Sequence, residues 1–347
     1  MIWRSLLGVV AVLGCRPTRE PVPTVEAVPI LPAAPRPSRS CANAPDLHLV
    51  AVRRPPAAIS TDGSDVYWID AGHFEAAGYV RDGALWRMPA AGGTTTRIVD
   101  DLGVASDLVV TATTIFVAID SATGGGVRAI AKLDGRTRWL WLGGPVSRLA
   151  VQGDVLHAVV DRPGGDQLYR IQDADGVATL VDQDVGAAET VARVGDGIAV
   201  GGARSSEVGA SGSIVMSHPA RRLAIEPVVT GLAADEHQLY LAAGSQLIEL
   251  PHGGTHATVR ATAPDAIASV VRDANGLSWL ATRPGGFEII VAGHDADIRM
   301  VDRSQIGWRH LVDSSRIYWV ESDPVTDPWK HEPTPYRIGW VSRWGCR

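Results

Sequence analysis

Cysteine, phenylalanine and methionine are all scarce: the 347 residues hold three, three and four of them, and only 6% are aromatic. No paired C-x-x-C occurs, which removes the commonest thiolate metal centre. Basic excess is missing too. A net charge of −6 and a pI near 5.9 leave no dense cationic face able to displace the counterions of a nucleic acid. There is no G-x-S-x-G elbow, no H-E-x-x-H pair, no P-loop and no Rossmann glycine pattern, so no catalytic residue, cofactor or metal is expected. Asp173-Ala174-Asp175-Gly176 has the look of a calcium loop but lacks its terminal Glu, and it reads as a hairpin turn. What is present is 46% hydrophobic residues, 37 Gly and 22 Pro, enough for a substantial core in a chain that is neither disordered nor collagenous. Trp supplies 11 of the 20 aromatic residues, which points to large rings reused at equivalent positions.

The apolar run Leu6 to Gly14 follows an early cation, Arg4, and is short for a membrane span of about 20 residues. It reads as the core of a signal peptide. Its ending, Val12-Leu13-Gly14-Cys15, resembles the lipobox of bacterial lipoproteins, in which cleavage precedes a Cys that is then lipidated. The resemblance implies a signal peptide over 1–14, lipidation at Cys15, and membrane attachment through the acyl chains rather than a helix. Arg16, where inner-membrane retention would want Asp, implies an outer-membrane lipoprotein facing the periplasm or cell surface.

Between Arg16 and Pro45 lie eight prolines and no aromatic residue, a composition that cannot bury enough area to offset the entropy of folding. Residues 15–45 are therefore expected to be a lipidated Cys and an extended tether, contributing nothing to a core. The folded domain is expected over 46–347.

Past Pro45 the chain alternates in short segments punctuated by Gly and Asp, with hardly any 3.6-residue period. One unit recurs. An aliphatic residue opens a short apolar run at Val66, Ile115, Val155, Ile198, Leu239, Leu277 and Ile317, at intervals of 49, 40, 43, 41, 38 and 40 residues. A period near 42 fits four strands per unit, the blade of a β-propeller. In the first unit the strands read Ala58 to Thr61, Val66 to Asp70, Ala84 to Pro89 and Thr95 to Asp100. Ala91-Gly92-Gly93, Asp134-Gly135, Asp175-Gly176, Gly253-Gly254 and Asn275-Gly276 supply tight turns. Val66-Tyr67-Trp68-Ile69-Asp70 and Ile317-Tyr318-Trp319-Val320-Glu321 resemble the YWTD repeat, as Leu133-Asp134-Gly135 resembles its following turn. The Tyr-Trp pairs are read as packing between blades, and His157, at the Trp position of blade 3, as packed in a sheet.

YWTD and TolB-like propellers usually have six blades, and six is kept as the alternative. The chain ends argue for seven. The last unit has strands near Trp308 to Val312, Ile317 to Glu321 and Tyr336 to Ser342, then stops one short; Asp46 to Arg53 alternates and can supply the fourth. The expected fold is thus all-β, a single seven-bladed propeller closed by an N-terminal strand in the last blade. If Cys15 is lipidated, Cys41 and Cys346 remain beside the two closing strands, and antiparallel pairing would bring them to one end as a disulfide worth up to roughly 5 kcal/mol.

In an antiparallel meander, every loop between second and third strands emerges on the same rim as the loops between blades. Three are long: Ala71 to Asp82, Arg204 to Gly212 and Ser322 to Pro335. Those of blades 7 and 1 are neighbours across the closure. They would gather His73, Phe74, Glu75 and Tyr79 with Trp329, Lys330, His331 and Glu332, a candidate ligand or partner patch. The expected function is a non-enzymatic, monomeric lipoprotein presenting its propeller as a binding or scaffolding surface to an envelope protein or saccharide. The alternative is a lyase or hydrolase acting on an extracytoplasmic sugar or peptide, with catalytic groups drawn from separate loops.

Overall fold

The computed structural model describes residues 25–32, 38–40, 47–52, 54–70, 72–75, 78–80, 82–120, 124–203, 212–218, 220–293, 296–323 and 336–343. The second strand of each blade is where the repeat was read: Asp65–Asp70, Thr114–Ile119, Val155–Val160, Gly197–Ala203, Gln238–Ala243, Gly276–Arg283 and Arg316–Ser322. Most of their residues are buried whichever way they point, because a neighbouring blade covers each face. Burial on both faces calls for a continuous apolar run instead of alternation. Among the described residues seven sheets each contain a four-stranded antiparallel blade, and the chain is a seven-bladed β-propeller. Seven apolar clusters lie one between each pair of adjacent blades. The cluster joining blades 7 and 1 holds Val66, Trp68, Met88, Tyr318, Ile338 and Trp340.

Closure follows the expected route. His48–Val52 is the outer strand of blade 7, antiparallel to Tyr336–Ser342, with Val52 opposite Tyr336 and His48 opposite Trp340. The His48 ring stacks on the Trp340 indole at 5.1 Å. The Tyr-Trp pairs are structural, all four rings being buried. Tyr67, Tyr240 and Tyr318 each donate to an Asp in the turn five residues earlier, Asp62, Asp235 and Asp313, at 3.1, 2.9 and 2.9 Å. Gly339 lies under the Trp319 indole, so closely that a Cβ there would overlap the ring. Gly339→Ala is expected to cost about 1–3 kcal/mol through overpacking, read as a lowered midpoint in urea.

The tether expectation needs correction. Val25–Ala27 pairs in parallel with the outer strand of blade 4, Ala220–Ile225; Ile30–Leu31 with that of blade 5, Ala257–Thr262; and Ser38–Ser40 with that of blade 6, Asp297–Arg303. The segment is a strap along three blade edges. Backbone groups hold it: Val28 N donates to Ala224 O at 3.1 Å, and Pro29 O accepts from Ala257 N at 3.1 Å. Prolines lack a donor, yet an edge strand needs donors on one side only. Val28 is buried in the core cluster of blades 4 and 5, so the segment does contribute to a core.

A second feature was not anticipated. Each inner strand carries an extra residue near its start, where pairing with the second strand slips between Pro56 and Ala58, Ala105 and Asp107, Val146 and Arg148, Ala188 and Thr190, Val229 and Gly231, Ile267 and Ser269, and Gly307 and Arg309. Such bulges bend the strand and re-aim the side chain that follows. Repeated seven times, they set a ring of equivalent positions around the central channel.

Candidate functional site

Five segments converge on the seam between blades 7 and 1, at the rim that carries the second-to-third loops. Arg54 precedes the inner strand of blade 1 and Asp70 ends its second strand. Asp82 precedes its third strand, Leu85–Pro89, which carries Trp86; Arg97 lies on its outer strand, Thr96–Val99, with Asp100 just beyond. Together with Ala51 and Val52 of the closing strand they line a cavity of about 430 Å³. One wall is a stacked indole pair, Trp68 and Trp86, 6.3 Å apart and 7° from parallel. Arg97 lies 5.7 Å from the centre of the Trp86 ring and pairs with Asp100 at 2.8 Å.

Asp70 organises this wall. It is buried, and one oxygen accepts from the Trp86 Nε1 at 2.8 Å while the other accepts from Ala84 N at 3.1 Å. Arg54 forks onto Asp82 with two bonds of 2.9 Å and reaches Asp70 at 3.5 Å. Burial works against the Arg54 charge, but Asp82 and Asp70 outweigh it and raise its pKa above the usual guanidinium value. The carboxylates of Asp70, Asp82 and Asp100 are each engaged by a nearby donor or cation. An indole face edged by fixed donors and acceptors suits recognition of a ligand that is part apolar and part hydrogen-bonding.

Of the predicted patch, only the backbone of its blade 1 half falls among the described residues. Residues His73–Glu75 and Gly78–Val80, read from sequence as loop, form a two-stranded hairpin with Phe74 opposite Tyr79. In the chain it lies between Asp70 and Asp82, both of which line the pocket. The side chains of His73, Phe74, Glu75 and Tyr79 lie outside the described residues, as do Trp329, Lys330, His331 and Glu332, and Cys15, Cys41 and Cys346. The stem of the blade 7 loop is firmly built: Glu321, fully buried, accepts from Arg303 at 2.8 Å, from the Trp319 Nε1 at 2.8 Å and from Arg337 at 3.1 Å. Arg337 also pairs with Asp323. Burial alone would raise the Glu321 pKa; the bonds from Arg303, Trp319 and Arg337 prevail and lower it.

His157 sits in the second strand of blade 3, buried, its pKa lowered to about 4 by burial and by the Arg170 charge. His310, on the inner strand of blade 7, bridges two hydroxyls of blade 6, with Nδ1 3.0 Å from Ser269 Oγ and Nε2 3.0 Å from Ser278 Oγ. Burial lowers its pKa to about 3. Both ring nitrogens are thus taken up by hydroxyls of the neighbouring blade, and the neutral ring joins blades 6 and 7. Sequence reasoning missed Arg54, Asp82, Trp86 and Arg97. The available signal was the charge density flanking the third and outer strands of blade 1.

No known protein family and no curated protein matches the sequence. Solved structures do share the fold. The β-propeller domain of the Trilobed protease from Pyrococcus furiosus superposes with a TM-score of 0.60 at 8% identity, over 83% of this chain and 94% of that one. That domain has an open velcro topology, whereas here the last blade is completed by His48–Val52. The acylaminoacyl peptidase of Pyrococcus horikoshii gives a TM-score of 0.55 at 12% identity, over 77% of this chain, which spans only 49% of that enzyme's. At such identities the likeness is one of fold.

Proposed function

We propose that the protein is an exported lipoprotein whose propeller acts as a non-enzymatic binding surface for an envelope protein or saccharide, with the recognition site at the seam of blades 7 and 1. The observation that carries this reading is the seam pocket, where Trp86, backed by the buried Trp68, stands beside the Arg54–Asp82 fork and the Arg97–Asp100 pair. In this reading the hairpin strands His73–Glu75 and Gly78–Val80 would supply the blade 1 half of the aromatic and charged patch, and the loop 323–335 the blade 7 half. In this reading Cys15 bears the lipid anchor. Cys41 and Cys346 form a disulfide, a pairing supported by the antiparallel register of the strands that follow and precede them.

The test uses a soluble chain starting at residue 16 as bait for detergent-solubilised envelope and for isolated cell-wall saccharides. Trp86→Ala, and separately Tyr79→Ala with Trp329→Ala, are expected to weaken the retained ligand at least tenfold, about 1.4 kcal/mol, while the melting temperature changes little. Binding that both variants leave intact would place the recognition site elsewhere.

A further inference from the structure

The channel carries a second site that the seam pocket does not explain. At the ring of bulges, the positions just after the extra residue are charged in blades 2, 3 and 7: Asp107, Arg148 and Arg309. Blade 4 adds Glu189, its extra residue, and blade 6 adds the Ser269 hydroxyl. These side chains line one channel cavity of about 350 Å³, within the range of small-molecule pockets. Each inner strand begins at the rim that carries the second-to-third loops, so the ring lies just inside that mouth.

Hydrogen bonding in the ring is lopsided. Asp107 already accepts from two backbone amides, Leu108 N at 3.0 Å and Leu149 N at 2.9 Å. Arg148 spends Nε on Glu189 O at 2.6 Å and Nη1 on Ser147 O at 2.8 Å, while its Nη2 stands 3.6 Å from the Glu189 carboxylate. Arg309 spends nothing. Its guanidinium makes no hydrogen bond among the described residues, and its nearest anion, Asp107, is 3.9 Å away. About a third of the side chain is reachable from the channel, yet protein surrounds it. Burial lowers the pKa of Arg309 and raises that of Asp107, each only partly offset by the other. The planar Arg309 cation thus lines the cavity with its N–H donors unspent on hydrogen bonds among the described residues, beside an Asp107 whose oxygens already accept from two backbone amides.

We propose that the bulge ring binds a small organic monocarboxylate, with the carboxylate on the Arg309 guanidinium and the rest of the ligand along the hydroxyl-bearing arc of blades 5 and 6, Thr230 and Ser269. A carboxylate accepts two parallel N–H bonds from one guanidinium. Phosphate fits less well, because Asp107 and Glu189 on the same ring repel a dianion.

Acetate, lactate and glucuronate serve as probes, with inorganic phosphate as comparator, in titration calorimetry and ligand-observed NMR on the whole folded domain. At least one monocarboxylate is expected to bind in the millimolar range or tighter, at least tenfold better than phosphate. Arg309→Gln should weaken it at least tenfold and Trp86→Ala less than twofold, which separates this site from the seam pocket. A second measurement needs no variant: phenylglyoxal labelling of Arg309, mapped by mass spectrometry, should slow when the same carboxylate is present. Absence of binding by all three carboxylates, phosphate binding as tightly as they do, equal binding by Arg309→Gln, or labelling of Arg309 unchanged by ligand would each overturn the proposal.

Discussion

A chain beginning at residue 54 is expected to yield no folded monomer, whereas one beginning at residue 41 should remain a soluble propeller with a lowered melting temperature. The first truncation removes the outer strand of blade 7, with its five register pairs to Tyr336–Ser342. At about 1 kcal/mol net per hydrogen bond, that ladder alone approaches the 5–15 kcal/mol by which whole domains are stable. The loss also strips Val50 and Val52 from the cluster that joins blades 7 and 1, and frees a sheet edge in the middle of the ring closure. The second truncation removes only the strap. Its pairs lie outside blades that are already four-stranded, and of its described side chains Val28 alone is buried, so about 1–3 kcal/mol is at stake. Thermal unfolding followed by circular dichroism separates the cases; equal melting temperatures for the two chains would refute the closure as the source of stability.

Acidification from pH 7.5 to 4.5 should destabilise the domain through its buried histidines. His310 and His157 are held neutral, with pKa values lowered to about 3 and about 4, whereas in the unfolded chain both take up a proton near 6.5. Below pH 6.5 the unfolded state therefore binds more protons, and stability falls as pH falls. For the fully enclosed His310 the slope is about 1.4 kcal/mol per pH unit until its folded value is reached. Asp235, lowered to about 2 with the bonds from His237, Tyr240 and Arg272 outweighing burial, adds a loss of the same sign below 3.8. Asp107 and Asp166, raised chiefly by burial, act oppositely as they become protonated. Urea titrations at pH 7.5, 6.0, 5.0 and 4.5 measure the slope. His310→Gln should remove most of it at some cost in stability at pH 7.5, and His157→Leu should flatten it further while deleting a buried Nδ1 that has no partner. A His310→Gln protein with the parental slope would show that another group sets the acid response.

How far the fold could be read depended on burial. Second strands such as Thr114–Ile119 are covered on both faces and read as apolar runs, which fixed the period and the blade count. Outer strands such as Ala178–Asp182 are mostly exposed and leave little pattern. The strap was illegible for another reason: parallel pairing through backbone groups asks nothing of side-chain alternation, and its partners lie about two hundred residues away in sequence. Asp107, Arg148 and Arg309 escaped notice because one extra residue breaks the period-2 rule at the very position that matters. The seam of blades 7 and 1 was reachable from topology and loop length. The pocket in it was not, since Arg54, Asp82 and Trp86 meet only once Asp70 has drawn the ends of two strands together.

The strap also changes the mechanics of any attachment upstream of it. A free leash of proline-rich chain from residue 15 to the closing strand would let the ring swing through roughly 80–100 Å at about 3.1 Å per residue. With Val25–Ala27 fastened to blade 4, an attachment at residue 15 would lie no more than about ten residues from the ring, roughly 30 Å of extended chain and about the thickness of a hydrocarbon layer. A ring so moored hangs by one point of its circumference, with blade 4 toward the support and the seam of blades 7 and 1 on the opposite side. Pulling force would then run along the strap as shear through the edges of blades 4, 5 and 6 in turn, and would reach the closing strand last.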